Sequence, residues 1–92
     1  MEHHKCKLFK IKNNELYDDK AECWFEVVTD DFGIKEAPGE LLSSKLILKE
    51  VIAGESEYLI VLDDGRKGKI LITNITSEEP RRASFRTSGA LE

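Results

Sequence analysis

EYLIVLDDGRKGKILITNIT, residues 57–76, decides the fold class of this chain. Two apolar runs rich in Ile, Leu, Val, Tyr and Thr flank a loop that carries Gly65, Arg66, Lys67 and Gly68. Such residues suit a pleated, half-buried surface, and the aspartates and glycines between them free the backbone to turn, so the stretch predicts a β-hairpin. A two-residue turn at Asp64-Gly65 would set Lys67 opposite Leu62 and Lys69 opposite Ile60, mixing lysines into apolar rows. A four-residue loop over 64–67 pairs Val61 with Ile70 and Leu59 with Ile72 instead. That register is expected, because each apolar cross-strand pair stabilises by roughly 0.2–1 kcal/mol. It leaves Leu59, Val61, Ile70 and Ile72 on one face and Tyr58, Ile60, Leu62 and Leu71 on the other. Antiparallel sheets usually keep one face polar, so two apolar faces imply that both are covered, by the chain itself or by a partner.

Outward from the hairpin, the pattern stays β. Residues 5–12, KCKLFKIK, alternate lysine with apolar side chains except at Leu8-Phe9, where the doubling predicts a bulge or a change of face. NNELYDDK, residues 13–20, is turn chemistry, and AECWFEVVT, residues 21–29, is a second strand with Cys23, Phe25 and Val27 on its apolar face. Residues 30–44 contain Gly33, Pro38 and Gly39 and read as a long connection. Lys45–Ala53 carries β-branched Ile47, Val51 and Ile52 and reads as a strand, with a helix as its alternative. SEEPRRASFRTSGALE, residues 77–92, has one aromatic residue and no periodicity; it is expected to be a disordered tail, its final Leu-Glu an expression-vector remnant. The expectation is therefore an all-β domain over residues 1–76, a small antiparallel barrel or curled sheet of about five strands. Its layout resembles SH3-like and OB-type barrels, a likeness of superfold that carries no function.

Composition bounds what such a domain does. The chain has 92 residues, 40% hydrophobic and 35% charged, enough for one packed core under a solvated surface. Its net charge of −4 repels polyanions overall, so any nucleic-acid role needs a local basic patch. The longest apolar run, Tyr58–Leu62, is far short of the ~20 residues of a membrane span. The polar start MEHHKCKLFK lacks the apolar core of a signal peptide, so no membrane and a cytoplasmic location are expected. Cys6 and Cys23 are read as buried free thiols rather than a disulfide.

Candidate chemistry is sparse. His3, His4 and Cys6 form H-H-x-C, short of the closed four-ligand set of structural zinc, and no metal or cofactor is expected. The acid pairs 18–19, 30–31, 63–64 and 78–79 read as turn caps. Both histidines precede the first predicted strand, in a mobile N-terminus, which leaves the folded strands no near-neutral base, and the chain is expected not to be an enzyme. Arg81-Arg82-Ala83-Ser84-Phe85 resembles the substrate pattern of basophilic kinases, with Ser84 as acceptor. The leading expectation is a non-catalytic binding module that recognises a protein partner or itself through Trp24, Tyr58, Ile60, Leu62 and Leu71. The alternative is single-stranded nucleic-acid binding through Lys5, Lys7, Lys10, Lys12, Arg66, Lys67 and Lys69, with phosphates on the cations and bases on aromatic rings.

Overall fold

The computed structural model describes residues 1–45, 56–76, 81–89 and 91–92, and every element among them is β. The strands are β1 (Glu2–Lys10), β2 (Leu16–Phe25), β3 (Val28–Thr29), β4 (Lys35–Glu36), β5 (Gly39–Ser43), β6 (Glu57–Leu62), β7 (Lys67–Ile75) and β8 (Arg81–Thr87). Six of them close into an antiparallel barrel in the order β1-β2-β5-β8-β7-β6, and β3 with β4 makes a separate two-stranded ribbon. The predicted small barrel thus forms, with six strands in its wall. No helix among the described residues is long and apolar enough to cross a membrane. The Lys45–Ala53 stretch lies, after Lys45, outside the described residues.

Strand alternation sorts each strand into an inner and an outer row. Cys6 and Leu8 of β1, Ala21, Cys23 and Phe25 of β2, Leu41 of β5, Tyr58, Ile60 and Leu62 of β6, Ile70 and Ile72 of β7, and Ala83 and Phe85 of β8 all point inward and are buried. The hairpin register differs from the expected one. Tyr58 faces Ile70, Leu59 faces Lys69 and Val61 faces Lys67. The turn is tighter than four residues: the Gly65 amide donates to the Leu62 carbonyl at 3.0 Å, the Leu62 amide to the Arg66 carbonyl at 2.8 Å, and Gly65 takes a φ of 93°. A glycine in the left-handed region after a tight turn is the three-residue hairpin loop with a bulge, which the sequence reading did not weigh. Barrel closure rewards this register, because it sends Tyr58, Ile60, Leu62, Ile70 and Ile72 to the same side.

Two further expectations change. The irregularity near Leu8-Phe9 exists, but the extra residues lie in β2: Cys6 pairs with Ala21, Leu8 with Asp18 and Phe9 with Leu16, while β1 runs regularly along β6. At this bulge Asp18 is buried, accepts from the Lys20 amide at 2.9 Å, and takes a hydrogen bond from the Ser43 hydroxyl of β5. Residues 81–87 are no tail. They form β8, paired with β5 on one side and β7 on the other, with Ala83 and Phe85 in the core. Leu91 packs against that core, and Glu92 exchanges two backbone hydrogen bonds with Lys67. Ser84 therefore sits in a strand paired on both sides rather than in a flexible kinase substrate segment.

Gly39 marks where β5 meets β2 most closely. A Cβ there would lie 2.0 Å from the Trp24 carbonyl oxygen, so only glycine lets the two backbones approach.

Phe85 supplies the sharpest test of the closed wall. Phe85→Ala is expected to cost about 3–5 kcal/mol, most of the stability of a domain this size, read as a fall in the urea midpoint. A tail residue would leave the midpoint unchanged.

Candidate functional site

Three places on the barrel gather chemistry-bearing side chains, and the first is the end capped by the start of β1. The alternation that sends Cys6 and Leu8 inward also turns His4 toward the barrel mouth, where its ring stacks on Phe25 at 5.6 Å between centroids. His4 Nδ1 donates to Asp63 Oδ1 at 2.7 Å and Nε2 to Glu2 Oε1 at 3.0 Å. Arg66 joins the same Glu2 oxygen, donates through Nε to Asp64 at 2.9 Å, and lies over the Phe25 ring at 5.5 Å. Both histidines thus belong to the folded body, contrary to the sequence expectation. The hydrogen bond to Glu2, then that to Asp63, holds the His4 pKa above the usual imidazole value. Arg66 first and then His4 hold Glu2 below the usual carboxylate value, and His4 does the same for Asp63. Below this polar lid, Cys6 and Cys23 are buried free thiols, and the hydrogen bond to Cys23 together with burial pushes the Cys6 pKa up. No metal-binding cluster occurs among the described residues.

The second place is the outer wall formed by β1, β6 and β7. Cross-strand pairing sets Lys7, Val61 and Lys67 in one row, and Phe9, Leu59 and Lys69 in the next. Lys5 stands two residues before Lys7 on the same face, and a depression of about 300 Å³ opens beside it, lined by Lys5, Cys6, Lys7, Asp19, Val61, Leu62 and Asp63. Lys5, Lys7, Lys67 and Lys69, from two distant segments, therefore share one surface. The other three cations named from the sequence do not join them. Lys10 lies over the Tyr17 ring at 5.5 Å, Lys12 sits in the β1–β2 turn, and Arg66 is held in the lid.

The third place is the β3–β4 ribbon, which leaves the wall between β2 and β5. Asp30 ties its turn: the backbone amides of Phe32 and Ile34 both donate to Asp30 Oδ1 at 2.9 Å, and Gly33 takes a φ of 80°. The Ala37 amide anchors the return strand on Thr87 of β8 at 2.9 Å. On this braced turn Phe32 is 90% exposed, with Val27, Val28 and Ile34 about half exposed beside it. Half of the large apolar side chains exposed among the described residues are on this one ribbon.

Of the residues expected to meet a partner, Tyr58, Ile60 and Leu62 are buried inside the barrel. The chain itself covers that hairpin face, so these three are scaffold. Leu71 is on the outer wall and partly exposed. Trp24 is outside too, stacked on His3 at 4.7 Å with the Arg82 guanidinium 5.8 Å from its ring. The ribbon was missed although VVTDDFGIK carries a hairpin signal of its own, β-branched residues on both sides of Asp-Asp-Phe-Gly. Comparison with known proteins returns no match to a protein-family model, a curated protein or a solved structure.

The lid gives stability a defined pH dependence. The raised His4 pKa contributes stability that is fully present below the unfolded value of about 6.5 and is lost as pH rises through the folded value. The lowered Glu2 and Asp63 values contribute above the unfolded carboxylate range, and that contribution is lost as pH falls through their folded values. Urea midpoints should therefore be highest between about pH 4.5 and 6.5, and His4→Gln should flatten the alkaline side of that profile. An unchanged profile in His4→Gln would mean that the lid does not hold the imidazolium.

Proposed function

We propose that this barrel is a non-catalytic binding module that recognises a protein partner through the tip of its β3–β4 ribbon. The observation that carries the reading is Phe32, 90% exposed on a turn whose backbone is fixed by Asp30. An aromatic ring held in water costs solubility, and in a braced turn its presentation to a partner loses little conformational entropy on binding. Val27, Val28 and Ile34 widen the apolar contact around it.

The charges beside the tip select the kind of partner. Glu26, Asp30, Asp31 and Glu36 outnumber Lys35, so two ribbons of this chain would repel each other. A partner with an apolar pocket rimmed by Lys or Arg fits both features. Buried reduced thiols at Cys6 and Cys23 favour a reducing compartment, and the cytoplasm is the proposed location.

Selection from a displayed random-peptide library against the whole chain, with Phe32→Ser as counter-target, tests this reading. The expected outcome is enrichment of apolar peptides flanked by Lys or Arg that bind wild type and not Phe32→Ser. Both proteins should unfold within about 0.5 kcal/mol of each other, because an exposed ring contributes little to folding. Enrichment that is indifferent to Phe32 would sink the assignment of the ribbon.

A further inference from the structure

We infer that the outer wall of β1, β6 and β7 is a binding surface for single-stranded nucleic acid, independent of the ribbon. Two objections stand against such a site in the sequence: Asp63 and Asp64 adjoin the basic loop, and Glu22 adjoins the lysine strand. The structure gives each of these acids a partner. Asp63 is bonded to His4, Asp64 to Arg66, and Glu22 to His3 Nε2 at 3.2 Å. Those partners are not the lysines.

Lys5, Lys7, Lys67 and Lys69 make no side-chain ion pair or hydrogen bond among the described residues, in contrast to Arg66 and Arg82. Four unpaired ammonium groups of one sign on a small wall attract a phosphate chain, and the counterions it releases supply the affinity. Asp19 borders this surface at the depression beside Lys5, and Glu57 precedes Leu59 by two residues on the same wall, so the basic strip is narrow. Between the lysines lie Val61, Leu59 and the half-buried Phe9, which give unstacked bases an apolar bed. Among the described residues this barrel wall has no helix or projecting strand to enter a duplex groove, whereas a single strand can lie across it with phosphates toward Lys7 and Lys67 and bases toward Val61.

Fluorescence anisotropy of labelled oligothymidylate and oligouridylate with the whole chain tests the inference. Binding is expected at low ionic strength, with log K falling against log salt at a slope of about −3 if four phosphates are neutralised at about 0.7 each. Lys7→Gln with Lys67→Gln should reduce that slope by about 1.4, while Phe32→Ser leaves it unchanged, which separates this surface from the ribbon. Absence of binding at low ionic strength would overturn the inference. So would a slope indifferent to the lysine pair, or inorganic polyphosphate competing as well as an oligonucleotide of equal charge, since polyphosphate has no base to set on Phe9, Leu59 and Val61.

Discussion

Backbone hydrogen bonding through β8 is the constraint on which the rest of the molecule depends. Without it, β5 and β7 would each present a row of unpaired amides and carbonyls, and the sheet would be open along two edges. Pairing Gly39 with Phe85 on one side and Ile72 with Phe85 on the other makes the wall continuous, and it delivers the Phe85 ring to the centre of the core. A short chain buries a modest share of its surface, so a single strand that both closes the ladder and fills the interior has a large effect. The tight approach at Gly39 belongs to the same closure, since a side chain there would separate β5 from β2.

Closure also decides which side chains are free to act. Once the wall is sealed, period-two alternation has only two outcomes, inside or outside, and the hairpin register assigns them. Shifting Val61 from Ile70 to Lys67 as its partner buries Tyr58, Ile60 and Leu62 and at the same time sets Lys67 in one row with Lys7 and Lys69 in the next. The apolar face that promised a docking surface and the basic face that did not have thus exchanged standing through one turn. The physical cause is local: Gly65 at a positive φ accommodates a shorter loop than the apolar pairing alone would favour.

This explains what was legible. The long apolar runs of β6 and β7, and the alternating Cys23 and Phe25 of β2, announced a small β barrel because their hydrophobic content is high and their period is two. β8 was not legible, since RASFR offers only Ala83 and Phe85 as inward residues between polar ones, and a strand with so few apolar residues gains its stability from neighbours on both sides. His3 and His4 looked like a polar N-terminus until pairing with Trp24 and Cys23 drew them into β1. The lysine surface is a tertiary property: Lys7 and Lys67 become neighbours across Val61 only when β6 lies between β1 and β7.

The strand order places the two proposed surfaces on opposite walls. Going round the barrel, the β2–β5 junction from which the ribbon leaves faces the β6–β7 pair across the core. A partner seated on Phe32 would therefore leave Lys7 and Lys67 uncovered, and a strand lying on the lysines would leave the ribbon free. Between them lie the buried Phe25 and Phe85 of the core. A rigid core of this kind holds two separate contacts at a set spacing without coupling their affinities, since coupling needs an element with two arrangements and a close-packed barrel wall offers one. Occupancy of either surface is then expected to be independent of the other, and any joint effect on a ternary assembly would come from proximity alone.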